Sequence, residues 1–178
     1  MSVSRTFRRT ATLLGPVTVL ATLGLGSAAP AHAAVGIICS GHGTLTWGAS
    51  LPTAETAENW TAHTDFTGCS GVGVDKDATA PKSLDESGSE TADCTGPISG
   101  DNTSNVTIVW ADNSTGHGTN RLLAADELHG NPTGTFQVTI TDGSHHVGQT
   151  MLETPQGIGG SCGETSVDYT ETAVLAAF

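Results

Sequence analysis

Positive charge is scarce in this chain. Six Lys and Arg stand against 18 Asp and Glu in 178 residues, a formal net charge of −12. Three of the six, Arg5, Arg8 and Arg9, lie at the N-terminus. Beyond residue 33 only Lys76, Lys82 and Arg121 oppose all 18 carboxylates, a net charge of −15. Such a surface repels a duplex or an anionic membrane, which excludes nucleic acid as an expected partner. A C-x-x-C pair is also missing, which removes zinc-ribbon and thioredoxin-like readings. The chain has no G-x-S-x-G elbow to mark a serine nucleophile. No apolar stretch beyond residue 33 has the length of a membrane span, and no linker divides that stretch in two.

The N-terminus reads as an export signal. Arg5, Arg8 and Arg9 form a basic start, and no charge appears from Ala11 to Ala29, where Leu13, Leu14, Val17, Val19, Leu20, Leu23 and Leu25 supply an apolar run. Pro30 ends that run, and Ala31-His32-Ala33 has the small-x-small form of a cleavage site. Gly15, Pro16, Gly24 and Gly26 interrupt the run, which disfavours a permanent anchor. The expectation is a signal peptide over 1–33 and a single secreted, extracellular domain over 34–178, long enough to bury a core.

Four cysteines, Cys39, Cys69, Cys94 and Cys162, all fall in the exported part. An even count in an oxidising compartment predicts two disulfides. The expected pairing is Cys39–Cys69 with Cys94–Cys162, closing loops worth about 3.6 and about 4.4 kcal/mol in the chain-entropy model. Cys39 shares parity with the apolar face of its segment, but Cys69 is out of phase with Trp60 and Phe66. A bulge at Gly68 would restore the phase. The two other pairings, Cys39–Cys94 with Cys69–Cys162 and Cys39–Cys162 with Cys69–Cys94, remain open at this point.

Alternation dominates the rest. Val35, Ile37, Cys39, Leu45 and Trp47 occupy odd positions against Ser40, His42, Thr44 and Thr46. Val106, Ile108 and Trp110 share one face, as do Phe136, Val138 and Ile140, and Val167, Tyr169, Ala173 and Leu175. Further strands are expected over 60–67, 89–94 and 147–153. The stretch 120–129 leans to strand over helix, and the acidic run from Asp75 to Asp93 reads as a long loop. Seven or eight short strands at this spacing predict an all-β, antiparallel β-sandwich.

The residue types that carry chemistry form no decisive motif. His145-His146 are adjacent and would point to opposite faces of a strand, a poor chelate. Asp75-Lys76-Asp77 has the carboxylate spacing of a calcium loop without its glycine or distal Glu. Gly41-His42-Gly43 and Gly116-His117-Gly118 read as a bulge and a turn. Trp47, Trp60 and Trp110 could stack sugars, yet Trp47 and Trp110 share parity with core residues. Glycosidase carboxylates cannot be chosen among 18 by sequence alone. No catalytic residue, metal ligand or cofactor is expected.

Several short features occur together in one known group: Cys39-Ser40-Gly41, the strand Thr44-Leu45-Thr46-Trp47, Cys69-Ser70-Gly71, Cys94 ahead of Ile108-Val109-Trp110, and Cys162 before a Thr-rich last strand. In these the chain resembles uncharacterised small secreted actinobacterial β-sandwich proteins with four cysteines. The resemblance implies an immunoglobulin-like sandwich and carries over no catalytic residue. Gly48-Ala49-Ser50-Leu51-Pro52 departs from the Pro-Gly-Leu-Thr frequent after the first aromatic. Neocarzinostatin-type chromophore carriers share the export and two disulfides but close shorter loops. The function expected is a non-catalytic extracellular module for an unknown extracellular ligand or envelope component. Two alternatives are a small-molecule carrier with an apolar cleft and a hydrolase whose site forms only in the fold.

Overall fold

The computed structural model describes residues 36–50, 54–71, 76–94, 103–128 and 130–176. The signal segment 1–33 and Asp75 lie outside the described residues, as do the side chains of Lys76 and Asp77. Among the described residues nine strands and one helical turn occur. They are β1 (Gly36–Trp47), β2 (Thr56–Gly71), α1 (Lys76–Thr79), β3 (Pro81–Ala92), β4 (Thr103–Trp110), β5 (Thr115–Leu128), β6 (Asn131–Gly143), β7 (Thr150–Glu153), β8 (Gln156–Ile158) and β9 (Ser166–Ala176).

Each strand pairs antiparallel with the next, in the order β1-β2-β3-β4-β5-β6-β7-β9. Then β9 returns to β1, from Gly36 opposite Ala176 to Thr46 opposite Ser166. The sheet therefore closes on itself as an up-and-down barrel. This corrects the expected immunoglobulin-like sandwich: the all-β antiparallel class holds, but one closed sheet stands where two packed sheets were expected. Closure pairs both edges of β1, so that no open edge is left there.

Eight positions surround the barrel because β7 and β8 share one. β7 bridges β6 and β9 at Phe136–Glu153 and Glu153–Ala173, and β8 does so at Thr133–Gln156 and Gln156–Thr170. Pro155 lies between the two and has no N–H to donate to a ladder, so the strand breaks there.

The acidic run forms a strand over Pro81–Ala92 where a loop is expected. Within this strand, β3, Leu84, Glu90 and Ala92 are buried and Glu86 is half-buried. Alternation holds through it, but Glu occupies places on the inner face where the other strands set apolar residues. Residues 120–129 do join a strand, β5, as far as Leu128.

Both disulfides have the expected pairing, and no described cysteine is free. Cys39 lies directly opposite Cys69. Ser40 pairs with Gly68 and Gly41 with Phe66, so Thr67 is the extra residue of a bulge beside Gly68 that restores the phase of Cys69.

The interior divides in two. One end is filled by Ile37, Leu84, Ile108, Trp110, Ile140 and Met151, next to Cys39. A smaller cluster of Trp47, Trp60, Ala92 and Val167 forms at the other end, next to Cys94. The outer wall alternates to Thr, Ser, His and Asp, for example His42, Thr44, Thr61, His63, Asp85 and Thr107, which are exposed or half-buried. A lipid-spanning barrel reverses that arrangement and sets its apolar band outside.

Candidate functional site

Between the two clusters the barrel interior turns polar and acidic. Glu90, Glu153 and Glu171 are buried at 7%, 2% and 5% exposure, with Asn120 and Thr64 at 2%. Each occupies the inner face for the same reason as its apolar neighbours. Glu153 lies two residues from buried Met151, and Glu171 lies between Tyr169 and Ala173. Glu86 sits two residues from Leu84.

Two close approaches shape this belt. Gly43 leaves room for the Tyr169 ring, since a Cβ there would lie 2.5 Å from its Cζ. Gly88 does the same for Trp60, whose Cζ2 would be 2.9 Å from a Cβ. Tyr169 and Thr64 share a hydrogen bond of 2.6 Å between hydroxyls. The Trp47 indole N–H donates to Glu90 Oε1 at 2.9 Å.

The carboxyls are only partly satisfied. Asn120 Nδ2 donates to Glu86 Oε1 at 2.7 Å and reaches Glu153 Oε2 at 3.4 Å. The backbone N–H of Thr154, at the break between β7 and β8, donates to Glu171 Oε1 at 2.8 Å. Glu153 Oε1, Asn120 Oδ1 and Trp60 Nε1 are buried and find no partner. An unmet buried polar atom costs about 1–3 kcal/mol, so the fold gains nothing from holding these groups here.

Burial pushes every one of these acids up. Glu86 rises to about 7 through desolvation, against the lowering bond from Asn120. Glu171 rises to about 8 by desolvation, opposed by the Thr154 N–H and reinforced by the charge of Glu86. Glu153 is pushed well above the usual carboxylate range by desolvation and by the charges of Glu86 and Glu171. Glu90 rises for the first of these reasons, and Tyr169 is raised as well.

A cavity adjoins this belt. The space open to the centre of a water-sized sphere is about 50 Å³, room for about four waters or a fragment of like size. Glu86, Glu90, Glu153 and Glu171 line one part of it, and Leu45, Trp60, Phe136 and Pro155 contribute an apolar part. No Lys, Arg or His is among its described lining residues.

Residues singled out by sequence meet different ends. Trp47, Trp60 and Trp110 are all buried, so none forms an exposed stacking platform; Trp60, the least certain of them by parity, is the one that lines the cavity. His145 and His146 flank Trp110, with ring centroids 5.8 and 5.3 Å away. His145 Nε2 meets Asp112 Oδ2 at 2.8 Å, and His146 meets Gln149 and the Thr79 carbonyl. Bonds from Ser114, then from His145, lower Asp112 to about 2.

Gly41-His42-Gly43 and Gly116-His117-Gly118 lie within β1 and β5 with His42 and His117 exposed outward, so neither is a turn; a bulge does fall between His117 and Gly118. Among the described residues no group of three or more His, Cys, Asp and Glu is placed to hold a metal ion. The acids of the barrel belt were not singled out in advance. Their parity with Leu84, Met151 and Tyr169 was the available signal.

Comparison with protein-family models, with curated proteins and with solved structures found no match for this chain.

Proposed function

We propose that this protein works outside the cell as a non-catalytic binding barrel that holds a small molecule in its interior. The observation that carries this is the cavity beside the acidic belt, where buried acceptors stand unpartnered next to an apolar wall. Ligand sites have that composition: mostly apolar lining with a few convergent polar groups. An eight-position barrel is also about the size at which the interior either fills with side chains or holds one small ligand.

The extracellular setting draws support from the two disulfides, which persist in oxidising compartments, and from the basic-then-apolar N-terminus. Among the described residues no helix is long and apolar enough to cross a membrane. Hydrolysis by a carboxyl pair is disfavoured because such chemistry needs environments that push two acids apart, and here burial moves all four the same way.

Ligand screening by NMR on the oxidised protein tests the reading. A set of neutral, anionic and cationic fragments should include some that shift the Trp60 indole N–H signal. If no fragment of any charge perturbs Trp60, the interior is not a binding site and the reading fails.

A further inference from the structure

The chemistry of the cavity wall narrows the ligand class. Of the three unpaired atoms in the cavity lining, Trp60 Nε1 is a donor and the other two, Glu153 Oε1 and Asn120 Oδ1, are acceptors in side chains only 2% exposed. The two acceptors ask for donors. Glu171 and Glu86 add carboxylates to the same wall, and no described lining residue supplies a positive charge to balance them. Beside them the lining includes Leu45, Pro155, Trp60 and Phe136, the last of which pairs directly with Glu153. These side chains favour a cation's apolar substituent and, through aromatic rings, the cation itself. A bare metal ion fits less well. It would need three or more acidic or His ligands converging, and no such group occurs among the described residues.

We propose that the barrel interior binds a small organic cation, a primary ammonium group on a short apolar stem, through Glu153, Glu171 and Asn120. This rests on the small-molecule-binding reading above and gives it a ligand class. An ammonium has three N–H donors in one compact head. They would meet the unpaired oxygens of Glu153 and Asn120 together with the Glu171 carboxylate. The stem would lie against Trp60 and Phe136.

Protons enter the equilibrium as well. Glu86, Glu90, Glu153, Glu171 and Tyr169 are the titratable groups facing the cavity, and all are held toward their neutral forms by burial. A bound cation favours the ionised carboxylates, so binding releases protons. Affinity for the amine therefore rises between about pH 6 and about pH 9.

The test compares three probes of matched shape on the oxidised protein, followed through the Trp60 indole N–H signal: butylammonium, 1-butanol and butanoate. Butylammonium should bind at least about tenfold more tightly than either of the others, as expected for charge-assisted hydrogen bonds. The shape-preserving variants Glu153→Gln and Glu171→Gln should each weaken butylammonium by about tenfold and leave 1-butanol unchanged. Equal binding of 1-butanol and butylammonium overturns the cation assignment while leaving a small-molecule site in place. So does full amine affinity in both Gln variants. Failure of all three probes to shift Trp60, with other fragments still binding, likewise overturns the cation alone. Failure of every fragment overturns both readings.

Discussion

The two halves of the barrel interior are built from the same alternation and end in opposite states. At one end Ile37, Leu84, Ile108, Trp110, Ile140 and Met151 pack at 0–1% exposure, and the Trp110 indole N–H is the one buried polar side-chain atom among them, without a partner. Beyond that end, before the Trp47–Trp60 cluster of the far end, Glu86, Glu90, Glu153 and Glu171 take equivalent inward places beside a cavity. The first half stabilises the fold and the second draws on that stability. A domain with only a few kcal/mol to spare retains three buried acids and a half-buried fourth when something other than folding uses them.

The sharpest break of this contrast comes from truncation. Ile108→Ala, at 0% exposure, should lose about 4 kcal/mol by denaturant unfolding, because removed methyls and the hole they leave both count. Leu45→Ala, on the cavity wall, should lose about 1 kcal/mol, since space and partial exposure already exist there. Equal losses would mean that the cavity end is as tightly packed as the other.

Acidity is the next lever, with a sign opposite to that of most proteins. Glu86 and Glu171 have folded-state pKa values of about 7 and about 8, above the usual carboxylate value. The folded state then binds more protons than the unfolded one, so this contribution is fully present below about pH 4.5 and is lost as pH rises through about 8. Between about pH 5 and about pH 9 these two groups should cost the protein on the order of 6 kcal/mol, seen as a falling Tm. Asp112, lowered to about 2, acts in the opposite sense but only in stronger acid. A Tm that climbs from pH 5 to pH 9 would contradict the burial of these acids.

The smallest effect is a gain. Glu153→Gln keeps the shape and removes a group that desolvation and two neighbouring charges oppose. It should raise Tm slightly near pH 9 and leave it unchanged near pH 5, where Glu153 is already neutral. Thermal unfolding at the two pH values measures it. Paired with a weaker amine affinity in the same variant, it would show one residue trading stability for binding.

Much of the strand pattern was legible. Val106-x-Ile108-x-Trp110 and Phe136-x-Val138-x-Ile140 alternate because inward residues of a strand recur every two positions. The bulge near Gly68 followed from the phase conflict between Cys69 and Phe66. What misled was composition: the run from Asp75 to Asp93 is acidic and serine-rich, and those residues ordinarily mark a solvated loop. Within it, Leu84 and Ala92 kept the strand's period, and Glu86 and Glu90 shared their parity. A buried carboxyl obeys the same periodicity as a leucine, so the pattern was present but its residue type argued the other way.

By itself, the sequence determined which faces of the strands are apolar, that the chain is all-β, and where the cysteines and turns fall. These are local matters, set by periodicity and turn chemistry. Tertiary structure alone decided that β9 returns to β1. Alternation says which face of a strand is buried and is silent about which edges meet, so a barrel and a sandwich can share one pattern. The same nonlocal closure decided which of 18 carboxylates come together. Glu153 and Glu171 lie on the neighbouring strands β7 and β9, and only the curvature of a closed sheet brings Glu86 of β3 to them across its interior.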